Sequence, residues 1–358
     1  MKSHNFITRD ESAMYYECGY SADNAILLRF GSELKFITDS RYASEARQLC
    51  KKNIAIEIIE SGNIQLEAIT QIQKHNIKYL QFDPTRMCVD EYFAIKDITI
   101  LEPNPNFTQE KRMVKTDEEI MILLESQRLN LKAFDSFAKF IAQEGKEKDE
   151  KFLWYKISDI LSNFGQFPLS FEPIIGIESN AAKPHALPSD RTFLQNGDTL
   201  LLDCGLKHKR YCSDCTRTAL FTDKDFTFNK NQDFSNLQSH KKDSPLSWQE
   251  KQKIYDIVRK AQMNAIQNLR SGMSGKEIDK LARDVIEQSG YGKYFLHSTG
   301  HGIGLDIHEM PFISKRSETI IEDGMVFSIE PGIYLENVFG VRIEDLVVVK
   351  NGRAEILQ

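Results

Sequence analysis

The chain has 358 residues, 41% of them hydrophobic and 27% charged, with 46 Lys+Arg against 52 Asp+Glu for a formal net charge of −6. That length predicts two or three domains of roughly 150 residues, and the composition excludes collagen-like, coiled-coil and disordered classes. The acid excess excludes the basic footprint of a nucleic-acid or anionic-membrane partner, and six scattered cysteines with no apolar leader or membrane-length span predict a cytoplasmic protein.

The first hundred residues alternate strand and helix. Ala25 to Ile37, AILLRFGSELKFI, predicts two short strands about a turn at Gly31-Ser32, and Asp39 to Lys51 predicts a helix. Ile54–Ile59, Gln65–His75, Tyr79–Phe82 and Ile98–Leu101 complete a small α/β unit. The stretch EPNPNF, with Pro103 and Pro105, breaks helix and strand alike and reads as a linker, which places domains at 1–110 and 111–358.

Beyond the linker, Thr116 and Glu119 form a capping box, and Ile120, Leu123, Leu124, Leu131, Phe134 and Ile141 recur at helical spacing. Further helices are predicted at about 149–164, 247–271 and 274–289, the last boxed by Ser274 and Glu277 and stopped by Gly290. LSFEPIIGI, TLLLDCG, TRTALF, MVFSIEPGIYL and VRIEDLVVV read as strands, and the polar, aperiodic stretch 223–247 as an inserted surface loop.

Four acids fall inside these apolar strands. Asp203 ends TLLLDCG, Asp214 lies in YCSDCTRTALF, Glu330 follows MVFSI, and Glu344 interrupts VRIEDLVVV. A buried, unpaired carboxylate costs several kcal/mol, so each must be neutralised, paired or bound to metal, and Arg217 and Arg342 can serve only some of them. Asp203 and Asp214 flank the turn LKHKR while Glu330 and Glu344 flank ENVFG, so two hairpins can each bring two carboxylates together. The segment HSTGHGIGLDIHE adds His297, His301 and His308 among glycines that let backbone approach a ligand. Two Asp, two Glu and one His balance two divalent cations, and this oxygen-rich set with an imidazole suits Mn²⁺, Co²⁺, Fe²⁺ or Zn²⁺. Cys204, Cys212 and Cys215, beside the acids, are read as packing residues.

SFEPIIGIESNAAKPHALP, GDTLLLDCG, YCSDCTRT, HSTGHGIGLDIHEMP, FSIEPGIY and GVRIEDLVVV resemble, in order and spacing, the pita-bread metallopeptidases that include aminopeptidase P, prolidase and methionine aminopeptidase. CGYSADNAILLRF and ITDSRYASEA resemble the creatinase-type domain of the first two. The resemblance implies a mixed α/β (α+β) fold: a small creatinase-like N-terminal domain, then a catalytic domain with a curved, mostly antiparallel sheet covered by helices. It implies two metal ions, Mn²⁺ first among the candidates, held by Asp203, Asp214, His301, Glu330 and Glu344. It places His185, His297 and His308 around the metals and the substrate, with Glu330 as proton acceptor, His308 and His297 as donors to the oxyanion, and Arg342 behind the ligands.

The creatinase-like domain and His297 resemble the Xaa-Pro peptidases, whose substrates carry proline at the second position. Phe312 follows HEMP where some prolidases place an arginine for a dipeptide's carboxylate, which favours an Xaa-Pro aminopeptidase over an Xaa-Pro dipeptidase. A catalytically dead creatinase-like binding protein is disfavoured because all five ligand positions are filled. By analogy the resemblance also implies a homodimer or homotetramer.

Overall fold

The computed structural model describes residues 5–222, 226–234 and 245–358. The chain divides into two units, Met1–Arg112 and Met113–Gln358.

Period-two patterning organises the first unit. Along Ala25–Phe30, Ala25 and Leu27 enter one apolar cluster with Phe6, Met14 and Phe36, while Ile26 and Leu28 enter another with Ile7, Ile37 and Ile72. A strand that is apolar on both faces must be covered on both faces. It lies within a six-stranded mixed sheet ordered Ile56–Glu60, Glu33–Thr38, Ala25–Phe30, Phe6–Thr8, Tyr79–Phe82, Ile100–Pro103. Two expectations are corrected here. The last strand runs through Pro103, which pairs with Phe82 at the sheet edge, where a missing N–H is tolerated. The expected linker then closes into a short helix, Phe107–Met113, rather than staying open.

In the second unit, the helices Asp117–Glu144, Trp248–Asn268 and Gly275–Gln288 each begin at a complete capping box, Thr116/Glu119, Ser247/Glu250 and Ser274/Glu277. The helix Glu150–Ser162 starts at Asp149, whose side chain accepts from Phe152 N. The strands are antiparallel throughout. Cys215–Leu220, Thr199–Cys204 and Ile174–Ile177 form one sheet; Glu309–Ile313, Gly300–Gly302, Val326–Ile329, Asp345–Lys350 and Arg353–Ile356 form a second. The strands expected in MVFSIEPGIYL and VRIEDLVVV each break in two. Gly332–Leu335 and Phe339–Arg342 leave the five-stranded sheet and pair with each other. The breaks fall at Glu330-Pro331 and Ile343-Glu344, between the registers Ile329↔Asp345 and Gly332↔Arg342. Proline at 331 removes a ladder donor, and the chain turns there.

The loop expected over 223–247 is also corrected in part. Residues 223–225 and 235–244 lie outside the described residues. In 226–234 the polar composition hides aromatic anchors: Phe228 packs edge-on against Phe134 with ring centroids 5.3 Å apart, and Phe234 against Tyr255 at 5.4 Å. No helix among the described residues is long and apolar enough to cross a membrane.

Candidate metal centre and active site

The hairpin registers bring the acids together. Thr216 pairs with Asp203, and Asp214 precedes Thr216 by two residues and so shares its parity. Glu330 and Glu344 stand across from each other at the break between sheets. His301 rides the short strand Gly300–Gly302, where a Cβ on Gly300 would lie 1.8 Å from the carbonyl oxygen of Ser328, so only glycine admits this approach. Eight of the nine candidate residues, namely His185, Asp203, Asp214, His297, His301, His308, Glu330 and Arg342, line one cavity of about 910 Å³. The ninth, Glu344, is 1% exposed, and its carboxylate lies within 4.8 Å of ligand atoms on Asp214 and His301.

Contacts among these groups are direct. His301 Nε2 sits 3.2 Å from Glu330 Oε1 and 3.6 Å from Asp214 Oδ2. Ser328 Oγ donates to Glu330 Oε1 at 3.0 Å. Thr216 Oγ1 donates to Glu344 Oε2 at 2.8 Å, and Arg342 Nη2 donates to Asp203 Oδ2 at 2.6 Å. The remaining carboxylate oxygens are the informative ones. Among the described residues, Asp203 Oδ1, Asp214 Oδ1 and Glu344 Oε1 are buried and have no hydrogen-bond partner. Orphaned buried oxygens are rare and costly, and three converging ones fit a bound cation.

Electrostatics agree. Burial, then the charges of Glu344, Asp203 and Glu330, push the Asp214 carboxyl well above its ordinary range. Burial, with Glu330 and Asp203, does the same to Glu344. For Glu330, burial opposes ionisation, yet the hydrogen bond and charge of His301 outweigh it and pull the carboxyl down to about 2. His301 is raised in turn: burial works against its charge, and Glu330 overcomes it. Fully ionised, the cage would hold more negative charge than its one imidazolium balances, which is why Asp214 and Glu344 hold their protons so firmly, and the residues fit divalent cations in number, charge and donor type.

Arg342 has all three of its side-chain nitrogens engaged: besides Asp203, it reaches Thr216 Oγ1 at 3.1 Å, Pro184 O at 3.2 Å and the Tyr334 hydroxyl at 2.8 Å. Tyr334 is a site residue that sequence reasoning missed; its signal, an aromatic two positions past Gly332, is that of any strand residue. Its hydroxyl lies 2.8 Å from His297 Nε2, while His297 Nδ1 faces the Ser298 carbonyl at 2.8 Å. Nδ1 must therefore carry the proton, and Nε2 accepts from Tyr334. Burial holds His297 below the usual histidine value, consistent with a neutral ring. Both ring nitrogens of His297 are thus engaged within the chain. His308 is exposed to the cavity, its ring 4.3 Å from that of His301, and burial then His301 hold it low. Cys204, Cys212 and Cys215 are fully buried and pack.

Residues 122–351 match metallopeptidase family M24. The chain is 34% identical to the uncharacterized peptidase YqhT of Bacillus subtilis (strain 168) over 347 residues, 95% of this chain and 90% of that protein. It is similar in structure to an Xaa-Pro dipeptidase from Bacillus anthracis, with TM-score 0.85, 30% identity, and coverage of 99% and 92% of the two chains. It is similar also to an X-Pro aminopeptidase from Thermotoga maritima MSB8, with TM-score 0.82, 27% identity, and coverage of 100% and 96%. With its pita-bread architecture and its acid-and-histidine cage, the chain belongs to metallopeptidase family M24.

Proposed function

We propose that the protein is an Xaa-Pro aminopeptidase that uses two divalent metal ions, Mn²⁺ first among them, to hydrolyse the bond between a first residue and a following proline. The observation that carries the metal chemistry is the set of unpartnered oxygens on Asp203, Asp214 and Glu344 beside His301 and Glu330. Those five residues would hold the ions. When bound, such ions polarise the scissile carbonyl and acidify a water molecule.

The chain's own groups do the rest. Glu330, ionised at neutral pH and steadied by Ser328, accepts a proton at Oε1 or Oε2 and returns it to the departing proline nitrogen. His308 and His185, both exposed to the cavity, donate hydrogen bonds to the substrate carbonyl as charge develops on it. His297 orients Tyr334, whose hydroxyl accepts from Arg342, and Arg342 in turn donates to Asp203 Oδ2 and leaves Oδ1 free.

Two observations support longer substrates. The cavity is at the upper end of the roughly 300–1,000 Å³ of small-molecule sites. Of its lining cations, Arg342 is committed to its own chain and Lys151 is paired with Asp190 at 3.0 Å, while Phe312 is apolar. The named activity of the Bacillus anthracis relative supports the second reading, an Xaa-Pro dipeptidase. Ala-Pro and Ala-Pro-Ala offered with Mn²⁺, Co²⁺ and Zn²⁺ in turn decide between them. Cleavage of the tripeptide is expected; cleavage of the dipeptide alone selects the second reading, and chelator-insensitive cleavage removes both.

A further inference from the structure

One buried carboxylate in this unit takes no part in the metal cage yet sits beside the segment that carries one of the site's histidines. Glu150, the first residue of the helix Glu150–Ser162, is 0% exposed. Its Oε1 accepts from Ile177 N at 2.7 Å, and its Oε2 from Ser189 N at 2.8 Å and Asn180 Nδ2 at 2.6 Å. Ile177 and Ser189 are the two ends of one arch, and His185 stands near its tip. The same Asn180 amide donates across the arch to Leu187 O at 3.0 Å, while Lys183 Nζ donates to Asn180 Oδ1 at 2.9 Å. At the tip, Arg342 donates to the carbonyl of Pro184, the residue before His185. Below it, a Cβ on Gly340 would lie 1.8 Å from the Ala181 carbonyl oxygen, so the arch lies flat on the strand Phe339–Arg342.

The choice of a carboxylate is telling. Burial raises the Glu150 carboxyl, and an acid in such a place is costlier than an amide or an apolar residue unless its acceptors are needed. Here they are needed: three N–H donors converge on two oxygens, and only an acceptor-only group can satisfy all three. A helix N-terminus gains from an acid anyway, but that gain does not require reaching two chain positions on either side of a histidine. We propose that Glu150 is a positioning residue: by pinning both ends of the 177–189 arch it holds His185 at the cavity wall in the orientation used in turnover. This rests on the reading of the site as a peptidase in which His185 contacts substrate.

The test is a double-mutant cycle on Ala-Pro-Ala hydrolysis. Glu150→Gln presents an amide N–H to other N–H donors and should lower kcat about 10- to 100-fold, much as His185→Ala does, with metal stoichiometry and KM for the peptide little changed. Combined, the two should cost no more than either alone. A merely structural Glu150 would lower the melting temperature and the active fraction, but His185→Ala would then cost the same factor in both backgrounds; that result overturns the proposal, as does wild-type kcat in Glu150→Gln. Where the Gln variant fails to fold, Asn180→Ala removes one donor and leaves the carboxylate, and the same non-additivity with His185→Ala is expected. If wild-type protein cleaves no Xaa-Pro peptide, the substrate reading fails instead. Amide exchange still decides the pinning: protection lost across 177–189 alone in Glu150→Gln supports it, and unchanged protection sinks it.

Discussion

Glu344 and Asp345 are consecutive residues, 1% and 3% exposed, and they anchor two buried charge clusters built in opposite ways. Asp345 has both oxygens engaged. Its Oδ1 takes Arg217 Nη2 and Lys230 Nζ, each at 2.8 Å, and its Oδ2 takes Gln262 Nε2 at 3.0 Å. Arg217 also donates to the backbone carbonyl of Glu344, so the closed cluster grips the chain on which the open one depends. Among the described residues, Glu344 has one oxygen on Thr216 and one without a partner, as has Asp203 with Arg342, and Asp214 has Oδ2 beside His301 and Oδ1 without a partner. A closed cluster specifies geometry; an open one, with its charge in excess, is a place for ions.

The sharpest break between the two clusters should be catalytic. Glu330→Gln, on the open side, is expected to cut metal-saturated kcat by about 10³-fold or more while shifting the melting midpoint by only a few degrees. Near-normal turnover would remove Glu330 as the proton carrier. On the closed side, Asp345→Asn strands Arg217 and should cost about 3–5 kcal/mol in urea unfolding, with the same loss whether or not a divalent cation is present. A loss that disappears on adding cation would mean the two clusters are one.

Glu344→Gln should do the reverse. In chelator it relieves a crowded carboxylate and should leave stability equal to wild type or about 1 kcal/mol higher, yet it should forfeit the cation-induced stabilisation, about 2.7 kcal/mol at one hundred times Kd. The pH dependence has a definite sign. Asp214 and Glu344 are raised in the metal-free fold, so the folded state keeps protons that the unfolded chain releases. Their contribution to stability in chelator therefore falls as pH rises from the ordinary carboxylate range towards their raised values, and saturating cation abolishes that fall. Glu330 acts oppositely: its contribution is present above its ordinary value of 4.5 and is lost as pH falls towards about 2. Urea midpoints between pH 4 and 8, with and without chelator, measure the difference between wild type and Glu344→Gln. A gap that does not widen with pH in chelator would refute the crowding account.

The smallest effect lies in the turn between the short paired strands Lys207–His208 and Tyr211–Cys212, on the stretch of chain from Asp203 to Asp214. Lys209 and Arg210 are both left-handed, with φ of 47° and 71°. Lys209→Gly should stabilise the protein by about 0.5–1 kcal/mol with unchanged kcat, because glycine adopts this conformation without the Cβ clash.

Much of this was legible along the chain. Capping boxes at Thr116, Ser247 and Ser274 announce their helices because the box is local, closed within four residues. The four site acids stood out because a charge inside an apolar strand contradicts its surroundings. Glu150 did not, because an acid opening a helix is common and its partners lie up to Ser189 away. Tyr334 did not either, since its role depends on His297 and Arg342 meeting at its hydroxyl. Phe226, Phe228 and Phe234 were masked by the polar residues between them, and the strand through Pro103 survived because it is at an edge.

Sequence alone determined the periodicities, the caps, and that acids at 203, 214, 330 and 344 needed neutralising, for these follow from neighbours in the chain and the cost of burying charge. Tertiary structure decided which oxygens are left over. Arg342 takes one from Asp203, Thr216 one from Glu344, and Arg217 is spent on Asp345. Which donors reach an acceptor is set by strand register and by the break at Pro331, and no single stretch of sequence contains both partners.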